Sequence, residues 1–120
     1  MAEATNLGRT LTAATPALRV SWPHPRSVTI HVCGEVDLCT APDLTEILGR
    51  EIRGPAADIL VDLSSVTFFG VAGLDCLLNA GRAADKFETG LRIEPGESYA
   101  VSRVFSLFRS AFPEVLARLL

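Results

Sequence analysis

Lysine is nearly missing from this 120-residue chain, with Lys86 the single one, and acidic residues outnumber basic ones fourteen to eleven for a net charge of −3. No block of like charge appears, and nothing supplies the basic face that phosphate neutralisation needs, so nucleic acid is not an expected partner. Long apolar runs are missing too. The longest, such as Ile59-Leu60-Val61 and Val104-Phe105, fall far below the ~20 residues of a membrane span, so no membrane insertion is expected. The first residues, MAEATNLGRTLTAATPALRV, hold no sustained apolar core of a secretory leader. Three cysteines in odd number, without close paired spacing, fit a reduced, cytoplasmic setting better than a disulfide scaffold. His24, His31 and Cys33 fall short of four convergent ligands, so no metal is expected. No Gly-x-Ser-x-Gly elbow, P-loop or full Gly-x-Gly-x-x-Gly occurs, which leaves neither an enzyme nor a bound cofactor as the expectation.

What remains is ordinary for one globular domain, 48% apolar and 21% charged. Residues 1–15 are Ala/Thr-rich and aperiodic, a tail ahead of a single domain over 16–120. Ala17–Trp22 reads as a strand, broken by Pro23-His24-Pro25-Arg26. Ser27–Cys33 alternates, with Val28, Ile30 and Val32 on one face and Thr29, His31 and Cys33 on the other, as in a half-buried strand hairpin-paired with the first. Thr40 is placed to cap a helix, with Asp43 three residues on, and Leu44, Ile47, Leu48 and Ile52 form its apolar stripe. Gly54-Pro55 ends that helix. Ile59–Leu63 reads as an interior strand. Val71–Asp85 reads as a helix burying Leu74, Leu77, Leu78 and Gly81. Leu91-Arg92-Ile93 is a short strand ended by Pro95-Gly96. A helix from near Ser98 buries Val101, Val104, Phe105 and Phe108, and Glu114–Leu120 adds a last helical turn or two. Alternating elements of this kind predict an α/β or α+β domain with a mixed sheet.

The turn at Gly70-Val71-Ala72-Gly73 is where chemistry would concentrate, because a strand running into a helix presents the helix's unpaired N–H groups and its positive dipole end. Small residues there equally serve close packing of backbones. The Gly70-to-Gly73 spacing could admit an anion, which keeps a nucleotide-binding domain among the alternatives. Cys33 and Cys39 bracket the loop containing Asp37, and a thiol beside a helix start can be activated, so both are redox candidates. Cys76, on the helix, is expected to pack. Asp62 is expected to satisfy backbone donors at a strand end, and His31 to be an ordinary side chain.

Two segments carry a family resemblance, Gly34-Glu35-Val36-Asp37-Leu38-Cys39-Thr40-Ala41-Pro42 and Asp62-Leu63-Ser64-Ser65-Val66-Thr67-Phe68-Phe69-Gly70-Val71-Ala72-Gly73-Leu74. Correctly ordered and spaced, they resemble the STAS domain of bacterial anti-sigma-factor antagonists, over roughly residues 17 to 110. The resemblance implies a mixed sheet of about four strands with three to four helices. It also implies protein binding, with a histidine-kinase-like ATPase anti-sigma factor as partner and transcription control as the setting. The family's strand-to-helix turn reads Asp-Ser-Ser/Thr-Gly-Leu, and its first hydroxyl residue is the phosphoacceptor. Here the corresponding residues are Gly70, Val71, Ala72, Gly73 and Leu74, so Val71 stands where the phosphorylatable serine would be. The implied contact surface joins Asp37 and Thr40 to Gly70–Leu74. Other roles within the resemblance are a scaffold subunit of a sensory complex or a partner of a lipid transporter, and homodimerisation is left open.

Overall fold

The structure, a computed structural model, describes residues 17–111. The tail read at 1–15 and the helical turns read at Glu114–Leu120 lie outside them. Four strands and three helices follow in the order β1 (Ala17–His24), β2 (Ser27–Val36), α1 (Ala41–Ile52), β3 (Asp58–Phe69), α2 (Val71–Lys86), β4 (Gly90–Glu94) and α3 (Tyr99–Ala111). The sheet order is β1-β2-β3-β4. β1 and β2 form an antiparallel hairpin, Val20 opposite Ile30, while β2–β3 and β3–β4 are parallel, with Val28 opposite Ile59 and Ile59 opposite Leu91. This is the mixed α/β sheet that the sequence predicts.

The alternation in β2 holds. Val28, Ile30 and Val32 are buried, and they join Leu18, Val20, Ile59, Val61, Leu63, Leu91 and Ile93 in one core with the apolar faces of the helices. Each such side chain removed from water contributes about 1.5–3 kcal/mol. The other face, carrying Arg19, Ser21, Thr29, His31, Asp62 and Arg92, stays partly or fully exposed. β1 continues through Pro23 to His24, past the expected break. Its register shifts between Ser21 and His24, and β1 is an edge strand, so the missing proline N–H disrupts no second ladder.

The stripe Leu44, Ile47, Leu48 and Ile52 is buried as its spacing predicts. α2 buries Leu74 and Leu77, but Ala80 and Ala84 complete its inner face, whereas Leu78 and Gly81 are only part-buried. The small alanines let α2 lie close against its neighbours, and Cys76 accepts a hydrogen bond from Thr45 Oγ1 of α1 at 3.1 Å. Burial raises the Cys76 thiol pKa, which disfavours the reactive thiolate and fits the expected packing role.

β3 runs well past the predicted Leu63 because two irregularities carry it on. His31 pairs with Asp62 but Cys33 with Ser65, and Gly34 pairs with Val66 but Glu35 with Phe68. Each step inserts one extra β3 residue. Burial consequently repeats every third residue, at Leu63, Val66 and Phe69. Gly34 has φ +93°, a conformation glycine adopts without steric cost. At the far end, Ser98 caps α3. Its hydroxyl accepts the Val101 N–H at 3.2 Å and donates to the Val66 carbonyl at 2.7 Å. Phe105 meets Phe69 edge-on, with centroids 5.9 Å apart.

If that aromatic contact fastens α3 to β3, Phe105→Ala lowers stability by about 3–5 kcal/mol in urea unfolding. Leu107→Ala, on the exposed side of the same helix, changes it by about 0.5 kcal/mol or less. Equal losses would show that α3 is held by something else.

Candidate functional site

The residues singled out from the sequence converge at the C-terminal ends of β2 and β3, where an open α/β sheet commonly presents its binding crevice. Val36 pairs with Phe69, and the Gly70 N–H donates to the Val36 carbonyl at 2.9 Å. That bond joins the end of β2 to the start of α2. It brings the Asp37 loop beside the Gly70 turn, two segments more than thirty residues apart in sequence.

Gly73 makes the junction possible. A Cβ there would lie 2.7 Å from the Phe69 ring and 2.8 Å from Val36 Cγ1. The family-like glycine is therefore a close-approach requirement, and Gly73 and Leu74 are buried beneath the surface and not part of it. Gly70 differs. Its φ of −93° and ψ of −179° suit any residue, and a Cβ would meet the half-exposed Phe68 ring at 3.3 Å and the Val36 carbonyl at an ordinary 3.7 Å. No side chain caps α2.

The Asp37 loop is self-bonded. Asp37 Oδ1 accepts the N–H groups of Cys39 and Thr40, both at 3.0 Å. The Thr40 hydroxyl accepts the Asp37 N–H at 2.9 Å, and its one proton faces both the Glu35 carbonyl at 2.9 Å and Asp37 Oδ1 at 3.0 Å. Thr40 thus occupies the cap position of α1, but its side chain makes no capping bond into the helix. The expected capping box with Asp43 does not form, because the hydroxyl turns back into the loop. With 6% of its surface exposed, Thr40 supports the loop from inside. The Thr40 N–H and hydroxyl, ahead of lesser contributions, hold the Asp37 carboxyl below its ordinary value.

The surface itself is apolar. Leu38 is 80% exposed, Val71 79% and Phe68 50%. With Gly70, Ala72 and the two carboxylates of Asp37 and Asp75 they line an open depression of about 540 Å³. Leu38 and Phe68 were not singled out from the sequence. A signal for Phe68 did exist: of two adjacent phenylalanines at a strand end, one must face outward when the other enters the core. A larger depression of about 800 Å³ lies at the opposite, N-terminal ends of β3 and β4, and none of the flagged residues line it. Cys33 and Cys39 are both exposed free thiols. Among the described residues no group of three potential ligands could hold a metal ion, and no helix is long and apolar enough to cross a membrane.

A polar array crosses the exposed sheet face. His31 Nε2 lies 3.2 Å from Ser21 Oγ, and His31 Nδ1 lies 3.2 Å from Asp62 Oδ2, linking β1, β2 and β3. Asp62 Oδ1 also accepts the N–H and hydroxyl of Ser64, as expected of a carboxylate at an irregular strand position. Burial pushes the Asp62 carboxyl up, but its bonds from Ser64 and His31 outweigh that, and the net shift is downward. The array lies along the pleat of the sheet and braces three strands.

Gly73→Ala is expected to cost about 1–3 kcal/mol through overpacking, read as a lowered urea midpoint, whereas Gly70→Asp stays within about 0.5 kcal/mol. Asp37 and Asp62 both titrate below their ordinary value of 3.8 in the folded chain. The unfolded chain binds more protons in that range, so their stabilisation is complete above it and is lost as pH falls through the folded values. An Asp37→Asn/Asp62→Asn variant should therefore be less stable at neutral pH and show a flatter acid limb below about pH 4 in thermal melts. An unchanged acid limb would remove these carboxylates from the account.

The chain matches the family model described as Mlab, STAS domain, over residues 23–111. Among solved structures, an anti-sigma factor antagonist from Mycobacterium paratuberculosis superposes with a TM-score of 0.66 at 26% identity, covering 85% of this chain and 86% of that one. The unphosphorylated anti-sigma factor antagonist SpoIIAA gives a TM-score of 0.66 at 18% identity, covering 87% and 86%. The phosphorylated Bacillus cell fate determinant SpoIIAA gives 0.64 at 17%, covering 87% and 89%. No curated protein sequence matches the chain. With the family match extending from the end of β1 to the end of α3, this protein belongs to the STAS-domain family.

Proposed function

We propose that this protein is a non-catalytic binding domain that antagonises an anti-sigma factor, using the surface around Asp37, Leu38, Phe68 and Gly70–Ala72. The observation that carries this is the cluster of three large apolar side chains held in the open at a strand-to-helix turn. Monomeric surfaces rarely leave such groups together unless a partner covers them. The fold shared with solved anti-sigma factor antagonists supplies the class of partner.

On this proposal Val71 occupies the phosphoacceptor place, and a valine side chain offers no hydroxyl to a kinase. A phosphate there would add about −1.5 to −2 charges. Asp37 and Asp75 flank the same depression, so that charge would be repelled by its own surroundings. The same carboxylates disfavour a nucleotide phosphate at the α2 N-terminus. Ser64, Ser65 and Thr67 are exposed, but they precede the turn along β3 and do not replace the missing group. The antagonist is accordingly held in its binding form, and control falls to abundance, competition or oxidation of Cys33 and Cys39. The partner is an anti-sigma factor of the histidine-kinase-like ATPase type.

Immobilised wild type should retain such an anti-sigma factor from lysate of its own organism, identified by mass spectrometry, and Val71→Glu should retain at least about tenfold less. Val71 is largely exposed, so the variant should melt with the wild type. Capture of a membrane ATPase or a large sensory assembly instead would replace this assignment with the other STAS roles.

A further inference from the structure

We propose that the depression between the Asp37 loop and the α2 start selects a basic, amphipathic segment of its partner, in which a bulky apolar side chain enters among Leu38, Phe68 and Val71 while flanking arginine or lysine side chains pair with Asp37 and Asp75. This rests on the proposed function and adds the chemistry of the partner's contact.

The lining falls into two parts. Its uncharged residues are Leu38, Phe68, Gly70, Val71 and Ala72, and its charged groups are two carboxylates with no lysine or arginine among them. An apolar lining whose charges are all of one sign favours a partner of the opposite sign, mainly by steering encounter and rejecting wrong partners. The carboxylates are also available. Asp37 takes all three of its loop hydrogen bonds on Oδ1, and none of them uses Oδ2. The Asp75 side chain makes no hydrogen bond or ion pair with another described residue. Its place on the first turns of α2 is fixed by the helix and not by a partner of its own.

The geometry also counts against the other occupants. A two-fold dimer through this patch would set Asp37 and Asp75 of one copy against those of the other, because an isologous contact repeats the same surface. An anionic ligand would meet the carboxylates first. A purely apolar segment would fill the depression but leave both carboxylates desolvated without compensation.

The test is a display library of random peptides, selected on the immobilised full-length protein and counter-selected on Val71→Glu. Enriched peptides should share a leucine, isoleucine, methionine or phenylalanine within a few residues of arginine or lysine. Their affinity should fall about tenfold with Asp75→Arg and weaken as salt rises from 50 to 300 mM and the Debye length shortens from about 14 to about 6 Å. Asp75 is exposed, and an unchanged melting temperature would confirm that the variant folds. Enrichment of acidic or uncharged peptides, indifference to Asp75→Arg, the absence of any Val71-dependent motif, or self-association through this face would overturn the inference. The two proposals separate cleanly. An anti-sigma factor captured equally well by wild type and Asp75→Arg overturns the basic-segment inference alone. Basic apolar peptides that bind while no anti-sigma factor is captured overturn the assigned partner alone.

Discussion

The close approach of Gly73 to Phe69 and Val36 is the contact on which the rest of the molecule turns. It presses the first turn of α2 against the ends of two parallel strands at a distance that no side chain would permit. Phe69 must then lie inward, where it also receives Phe105 from α3. One ring thus joins the helix start, the strand end and the last described helix. Because Phe69 is committed to the core, its neighbour Phe68 goes to the surface. The packing that stabilises the domain therefore also creates the apolar face that a partner would recognise. Core and surface are set by the same dipeptide.

The second constraint is polar. An exposed loop of four residues between β2 and α1 has little apolar burial to hold it, yet Leu38 must be presented reproducibly if it contributes to recognition. The Asp37–Thr40 bonds meet that need locally, the Asp37 carboxylate accepting from backbone after Leu38 and the Thr40 hydroxyl bonding backbone before it. Fixing a loop in advance lowers the ordering cost of binding. The arrangement gives Asp37 and Thr40 a positioning role for Leu38, and it leaves one oxygen of Asp37 outside these bonds.

Most of the frame was legible in the sequence because it rests on periodicity and punctuation. Val28-Ile30-Val32 and Leu44-Ile47-Leu48-Ile52 declare their faces at periods two and 3.6. The joint spacing of the Asp37 and Gly70 segments singled out two turns that the fold brings side by side. What failed had physical causes. Pro23 reads as a stop, but only the finished sheet shows that its strand is an edge. Thr40 reads as a cap, but the competing acceptor at Glu35 is a tertiary matter. The β3 extension was hidden because inserted residues replace alternation with a three-residue rhythm, which resembles neither regular period. Leu38 was passed over because a single exposed leucine in a loop is unremarkable until Phe68 and Val71 are brought beside it.

Val71 is the residue whose identity the fold does least to explain. Its side chain is 79% exposed, so burial gives no reason to keep it apolar. Its backbone lies in the first turn of a helix, where a β-branched residue has no propensity advantage over a serine or an aspartate. A helix start without a capping side chain would gain from a polar residue nearby. Local stability therefore argues for a hydroxyl or a carboxylate at this turn, and the chain carries valine. A position at which the residue present runs against local propensity, on a surface that no described residue covers, is best explained by what must touch it. The same reasoning applies to Gly70, whose extended backbone would accept an aspartate. Glycine and valine leave the turn smooth and apolar, and neither side chain carries a hydroxyl or a carboxylate. On the proposed function, the two residues together offer a surface that a partner occupies.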